Sequence, residues 1–498
     1  MNMEKANLSL KEQKEIAVTG HSGSTWLEVL VVCCAAPIGV AVCQSLLSSS
    51  RNNNKGKLSL LGRNFLVESL CLWLPLIVCQ SEWLYPYGIG ILMLELAMFV
   101  TLYYKGNKAP TSKKKSRRLS LSKDQKKIRG TKSSYLPYVT IYRSSILYLT
   151  FVAILAVDFP SLFPRRFCKT EVDGYGLMDM GAASFVISAG LVSRNARFSS
   201  RLGAEKSSQA TIPKLLRSTL PLILLGLIRL VTNKGLDYQE HVSEYGVHWN
   251  FFFTLAFLSS WSVCVPLTPT WGLALLVLGT YQYALTYEGL QEYIESAPRT
   301  CSHISKTLWC QLFAANREGI AGCWGYLGIF LFSEVVGKHY LWSTQSKDTT
   351  KKMANATDSN PSLTNLSVLL WAVHFVLHLH FGIPVSRRST NAVFGTWALA
   401  HNISLLAMIQ GFSSYMPATA PLPLVMDNVN QHGLICFLVA NVLTGLLNLT
   451  IPTLETNMPV ALLILLVYIV LIGGTAVLVD WTVTTYQAQN GSISKKNQ

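Results

Sequence analysis

The chain has 498 residues, half of them hydrophobic and 14% charged, against roughly 25% charged in an ordinary soluble domain. Its net charge of +16 would suit nucleic acid, but most of the excess sits in one stretch, 105–134, which holds twelve Lys or Arg, one Asp and no aromatic residue. Basic charge without rings to stack bases argues against a nucleic-acid groove, and the apolar remainder leaves no room for a soluble domain of useful size.

The first 24 residues are polar and lack the basic-then-apolar layout of a cleaved signal peptide. The first apolar run, 25–46, is therefore expected to stay as an anchor. Further runs follow at 64–80, 82–104, 136–157, 213–232, 249–267, 270–288, 319–336, 365–383, 391–412, 433–452 and 458–483, with a weaker one at 179–194. Each suits a helix of roughly 20 residues across a hydrocarbon core of about 30 Å. The pattern predicts an all-α polytopic membrane protein with roughly thirteen transmembrane helices. Its parts are a polar segment 1–24, a single multi-span domain 25–483, and a tail 484–498.

Short loops rich in Lys and Arg stay in the cytosol. That rule places 105–134 there as a disordered loop able to touch anionic headgroups. By alternation, 47–63 and 195–212 are also cytosolic, while 233–248 faces the lumen. The tail returns to the cytosol, where the terminal KKNQ reads as a dilysine retrieval address of endoplasmic-reticulum membrane proteins. Arg387 and Arg388 fall on the lumenal side against the rule. Either they have a function there or a span is miscounted.

Eleven cysteines are scattered, most of them inside apolar runs and without zinc spacing, so they read as core-packing thiols. Cys301 and Cys310 share an expected lumenal loop in which a disulfide is permitted.

Charge at membrane depth or at the end of a span is costly and tends to be paired or to face a polar cavity. Four clusters meet that criterion. In AVDFPSLFPRRFCKTE (156–171), Asp158 ends an apolar run, and Pro160 and Pro164 turn the chain back so that Arg165, Arg166 and Lys169 are held near it. A snorkelling anchor is the plainer reading of the same residues. In DYQEHVSEYGVHWNFFFT (237–254), a helix would place Glu240, His241, Glu244 and His248 along one stripe. Those side chains suit a polyhydroxylated headgroup better than a metal, because the seven-residue histidine spacing is loose. In AANREGI (314–320), Asn316 precedes Arg317 and Glu318 at a span start, where Glu318 caps the helix and Arg317 can meet phosphate. Arg229, inside LLGLIRLVT, needs a partner, either a carboxylate or an anionic ligand. In WAVHFVLHLHFG (371–382), His374 and His378 lie one turn apart and His380 points away, which reads as packed or hydrogen-bonded histidines instead of a metal box. Walker, dinucleotide, nucleophile-elbow and zincin signatures are absent from the sequence.

Several of these blocks, in order, resemble one family. AILAVDFPSLFPRRFCKTE, GLMDMG, YQEHVSEYGVHWNFFFT, AANREGI, SRRSTN (386–391) and NVLTGLLNL (441–449) are similar to the inositol acyltransferases of GPI-anchor biosynthesis, the class W family. The likeness runs from about residue 145 to the last span, and the first 130 residues match in hydropathy alone. The resemblance implies a multi-pass enzyme of the endoplasmic-reticulum membrane. Such an enzyme moves a fatty acyl group, usually palmitoyl, from acyl-CoA to the inositol 2-hydroxyl of glucosaminyl-phosphatidylinositol. It also implies a lumenal catalytic pair, Asp158 and Lys169, although this chain has one residue more between the two than the family pattern.

An alcohol is a poor nucleophile, so such a site needs a base and a donor for the oxyanion. Asp158 can serve as base, with Lys169 setting its charge; Lys169 can instead stabilise the oxyanion or, if desolvated, be the base. Direct transfer is favoured over an acyl-enzyme on Cys168. Arg165, Arg166, Arg229, Arg317, Arg387 and Arg388 are the candidates for substrate phosphate, Glu240, His241, Glu244 and His248 for sugar hydroxyls, and Asn316 and Glu318 for substrate contacts beside Arg317. Acyl-CoA enters as co-substrate, membrane lipids surround the protein, and no metal or resident cofactor is required. Two other readings are a lipid or solute transporter or flippase, which would show two related halves, and a histidine-dependent O-acyltransferase centred on a residue such as His401.

Overall fold

The computed structural model describes residues 13–14, 16–17, 19–49, 57–108, 136–198, 211–235, 242–265, 269–299, 307–342, 362–416 and 420–496. Glu240, His241, Cys301 and nearly all of the basic stretch 105–134 lie outside them. Among the described residues every regular element is helical, apart from an isolated bridge joining Gly23 and Ser24 to Tyr175.

In chain order the helices are α1 (Trp26–Ser49), α2 (Lys57–Glu68), α3 (Leu74–Cys79), α4 (Ile89–Lys108), α5 (Pro137–Ala156), α6 (Leu177–Leu191), α7 (Thr211–Gly235), α8 (Val242–Tyr245) and α9 (Phe251–Cys264). They continue as α10 (Trp271–Tyr287), α11 (Leu290–Ser296), α12 (Leu308–Ala315), α13 (Arg317–Val336), α14 (Leu363–Phe375), α15 (Ala392–Ser414), α16 (Leu424–Gln431), α17 (Gly433–Thr450) and α18 (Met458–Lys496). All thirteen expected apolar runs are helical, and ten form helices long and apolar enough to cross a bilayer. The other three, α6, α9 and α10, have 15, 14 and 17 residues. At 1.5 Å per residue they rise only about 21–26 Å, short of a full hydrocarbon core. Polar caps set two of these limits: Asn250 accepts the Phe252 amide to start α9, and Thr270 accepts the Leu273 amide to start α10. At the other extreme, α18 takes in most of the expected tail, running to Lys496.

The chain divides into two compact units. One comprises Val32–Leu155, Met408–Thr450 and Pro459–Gln498. In it, a π-helical turn at Ser69–Trp73 joins α2 to α3. The buried Glu68 carboxylate accepts the Val425 and Met426 amides, both at 3.1 Å, and so satisfies the first turn of α16.

The other unit comprises the residues up to Val31 together with Ala156–Ala407 and Ile451–Met458. Its centre is α13, almost wholly buried and packed against α6, α8, α9, α10, α11 and α12. Apolar surface gives helices in lipid little reason to associate, so close backbone approach has to hold them. α13 supplies that approach with a glycine every third residue, at 319, 322, 325 and 328. A Cβ at Gly319 would lie 2.3 Å from the Trp249 ring, and one at Gly328 would lie 2.5 Å from Leu278.

Candidate functional site

Within this second unit, α6, α9, α13 and α15 begin, and α10 and α14 end, at the rim where the charged blocks meet. The first block, 157–176, leaves α5 as an irregular loop because Pro160 and Pro164 forbid a continued helix. Phe159, Phe163 and Phe167 anchor it in the core. Arg165 holds its shape, donating to the carbonyls of Val157 (2.9 Å), Phe163 (3.3 Å) and Ala17 (3.2 Å). Arg166 pairs with Glu28 at 2.8 Å and lies over the Phe167 ring. These two arginines, expected to meet substrate, therefore direct those donors to protein groups. Asp158 is only 5% exposed. Its charge reaches Lys14, whose pKa is lowered by burial and partly restored by Asp158.

The end of the loop is tied down from several sides. Gly174 has φ 126°, and a Cβ there would lie 2.0 Å from the Ser22 carbonyl, so only glycine fits. Its amide donates to Val385 at 2.8 Å, and Ser386 Oγ donates to Val172 at 2.8 Å. The Tyr175 hydroxyl lies 2.9 Å from His374 Nε2, and His374 Nδ1 lies 3.2 Å from the Val393 carbonyl. A carbonyl only accepts, so Nδ1 carries the proton and Nε2 takes the tyrosine hydrogen. His378 stacks on His374, and its Nδ1 faces the Ile383 carbonyl at 3.0 Å. Both histidines are hydrogen-bonded within the protein.

Asn316 positions the next block. Its Oδ1 accepts the amides of His248 (2.7 Å) and Trp249 (2.9 Å), fixing the turn after α8. Expected to bind substrate, it instead sets the position of the helix that carries Glu244. Arg229 is exposed on α7, yet its charge helps hold Glu244 ionised.

The third block, SRRSTN, is a strained and tightly bonded loop. Thr390 has φ 49° without being glycine, a conformation that costs energy and persists only where its surroundings enforce it. Thr390 Oγ1 and N both donate to the Arg387 carbonyl, at 3.1 and 3.0 Å. Asn391 donates to Pro384 at 2.7 Å, and Tyr281 donates to Ser389 at 2.7 Å. The loop lies directly on α13, where a Cβ at Gly325 would come within 2.1 Å of the Thr390 carbonyl. Gly325→Ala is therefore expected to displace the loop and cost about 1–3 kcal/mol through overpacking, read as a lower thermal midpoint of the purified protein.

Two ion clusters result, each built on a buried carboxylate, Asp179 in one and Glu318 in the other. In the first, Glu244 lies between Lys169 Nζ, 2.6 Å from Oε2, and Arg387 Nη2, which pairs with Oε1. Arg387 Nε also faces Asp179 Oδ1 at 3.5 Å, while Asp179 Oδ2 accepts the amide and hydroxyl of Thr170 at 3.0 and 2.8 Å. Burial pushes the Glu244 carboxyl up, but Arg387 and Lys169 outweigh it and hold its pKa well below the usual carboxylate range. In the second cluster, Glu318 is fully buried and takes a two-pronged contact from Arg299, at 2.6 and 3.0 Å. Arg388 lies 3.3 Å and Arg317 3.8 Å from the same carboxylate. Arg387 and Arg388 thus each pair with a buried or half-buried carboxylate.

A small cleft of about 20 Å³ opens beside the first cluster and reaches Arg388 of the second; Lys169, Thr170, Glu171, Ser243, Glu244, Arg387 and Arg388 line it. Asp158 is not among these lining residues. Sequence reasoning missed Asp179 and Arg299. Asp179 left a signal, as the lone acid in the apolar helix α6, whereas Arg299 left none. Cys310 is disulfide-bonded, as its loop permits.

The GWT1 family profile matches residues 10–479, so the family likeness extends well into the part that matched only in hydropathy. GPI-anchored wall transfer protein 1 of Yarrowia lipolytica is 32% identical over 94% of this chain and 97% of its own length. The protein of the same name in Gibberella zeae is 34% identical over 95% and 97%. An uncharacterised protein of Arabidopsis thaliana is 37% identical over 78% of this chain and 80% of its own. With its charged blocks gathered at one rim and these matches spanning nearly its full length, the chain belongs to the GWT1 family.

Proposed function

We propose that the protein is an acyl-CoA-dependent O-acyltransferase of GPI-anchor biosynthesis in the endoplasmic-reticulum membrane. It moves a fatty acyl group, palmitoyl in the first instance, to the inositol 2-hydroxyl of glucosaminyl-phosphatidylinositol. The observation that carries this reading is the contact of Lys169 with Glu244 beside the cleft. The contact aims the Lys169 side chain as a hydrogen-bond donor at the edge of the cleft, which suits it to the electrophile's role. Glu244, held ionised by two cations, is too weak a base to deprotonate an alcohol. Asp158 is the remaining carboxylate of the expected pair.

In this mechanism Asp158 accepts the proton as the inositol oxygen attacks the thioester carbonyl. Lys169 stabilises the oxyanion. The carbon–sulfur bond then breaks, and CoA leaves as a thiolate that takes up a proton. Arg387 and Arg388 face the headgroup, and His248 lies near the same rim. Cys168 is a poor alternative nucleophile: it is buried, and burial raises its pKa against the opposing charges of Arg165 and Lys169. The relatives' name, which concerns GPI-anchored wall proteins, fits the substrate class. A transporter would place paired charge at mid-membrane, whereas Glu318 and Asp179 occupy the first turns of α13 and α6. His401 is fully buried inside α15, and neither ring nitrogen has a partner among the described residues, which disfavours a histidine-centred transferase.

Microsomes containing the protein are expected to convert glucosaminyl-phosphatidylinositol and palmitoyl-CoA to the inositol-acylated lipid. Mass spectrometry of the extracted lipids checks this, and an unchanged lipid pool would remove the reading.

A further inference from the structure

Helix α12 turns its apolar face outward. Leu308, Trp309, Leu312 and Phe313 form one stripe, with Leu308 67% and Trp309 79% exposed, whereas Ala314 on the opposite side is buried. The helix carries no charge, and Gln311, its exposed polar side chain, lies off the stripe. With eight residues it rises only about 12 Å, too short to cross a hydrocarbon core. An exposed apolar stripe marks an interaction surface, and its position tells which kind. Asn316 is at once the C-cap of α12 and the N-cap of α13, so α12 sits at the rim where that span begins. At the same rim α10 ends with Tyr283 and Tyr287 exposed. Exposed Trp and Tyr rings at the ends of spans belong to the membrane–water interface. The inner end of α12 is fixed to the charged blocks: the Ala315 carbonyl accepts from the Val247 amide at 3.0 Å and from Arg299 at 3.3 Å, and Asn316 accepts the His248 and Trp249 amides of the turn after α8. At the outer end the Thr307 hydroxyl accepts the Cys310 amide at 3.4 Å, and Cys310 is disulfide-bonded. Held at both ends, the helix cannot roll its stripe inward.

We propose that α12 is an interfacial anchor: its Leu308, Trp309, Leu312 and Phe313 stripe is seated among the phospholipids of the leaflet at this rim, and its pinned inner end holds the cleft at headgroup depth. The occupant is lipid and not a protein partner because the stripe continues, through Asn316, into a membrane span and is level with the exposed tyrosines of α10. A glycolipid acceptor carries its inositol at the same depth, but the proposal stands without the acyltransferase reading, since its test needs no turnover.

The test is tryptophan fluorescence of the full-length protein in phosphatidylcholine nanodiscs. Subtracting the signal of Trp309→Phe from that of wild type isolates Trp309 from the rest of the twelve tryptophans. The variant keeps an apolar ring at an exposed position, so the fold should be unchanged. The Trp309 signal is expected to be quenched at least about twofold more by lipids brominated near the headgroup end of their chains than by lipids brominated near the methyl end, and little by aqueous iodide. Quenching by iodide instead would place the stripe in water. Stronger quenching from the methyl end would sink it to the middle of the bilayer, and protection from all three quenchers would mean that a protein surface covers it. Each of these results would overturn the anchor. The hold on the cleft is read by hydrogen exchange in Leu312→Glu, which puts a charge in the stripe: the amides of residues 247–249 should exchange at least about tenfold faster while those of α10 do not change. Unchanged exchange at 247–249 would overturn that coupling, and the wild-type quenching result holds even if this variant misfolds.

Discussion

Asp158→Ala is expected to abolish inositol acylation in microsomes while leaving protein abundance near normal. Removing a general base slows a reaction by about 10²–10⁴-fold, and the attacking group is an unactivated alcohol that the other carboxylates of the rim are poorly placed to serve. Glu244 is committed to two cations, Asp179 to Thr170 and Arg387, and Glu318 to three arginines. The fold should tolerate the change. Its loop is held by the three buried phenylalanines and by Arg165, and Lys14 is only partly buried, so it can turn toward water. Acylation at the wild-type rate in this variant would move the base elsewhere and dissolve the division of roles between Asp158 and Lys169.

Glu244→Ala is expected to act more broadly, lowering both activity and stability. It leaves Lys169 and Arg387 facing each other without the carboxylate between them, and stranding a buried charge costs about 3–5 kcal/mol. Arg387 keeps Asp179, which places the effect at the lower end of that range. A fall in thermal midpoint together with lost acylation checks this.

The pH dependence follows from the same cluster. The folded pKa of Glu244 is depressed below the roughly 4.3 of an unfolded glutamate. Its stabilisation is therefore complete above that value and is lost only as pH falls through the lower, folded one. Between about pH 5 and 8 neither stability nor rate should titrate with Glu244. A limb of the rate profile in that window that vanished in Glu244→Gln would make Glu244 the base and take that role from Asp158.

The likeness in the charged blocks pointed to the family, and hydropathy was enough to read the membrane class, because a bilayer forces every crossing segment to be long, apolar and helical. The same blocks made it legible that charge gathers at the ends of spans. The pairing was not. Lys169 reads as the neighbour of Asp158 because they share a loop, yet its ammonium is held by Glu244, 75 residues on. Arg387 and Arg388, adjacent in sequence, serve two different carboxylates. The glycines of α13 read as ordinary small residues of a span, although they let the Trp249 and Thr390 segments come close enough to carry their charges to one rim.

From the chain alone came the all-helical membrane class, the family it resembles, and the residue types available for chemistry, since these depend on local composition and periodicity. The tertiary structure decided which acid meets which base. That choice depends on contacts of a few ångströms between segments far apart in sequence, whose energies no local pattern encodes.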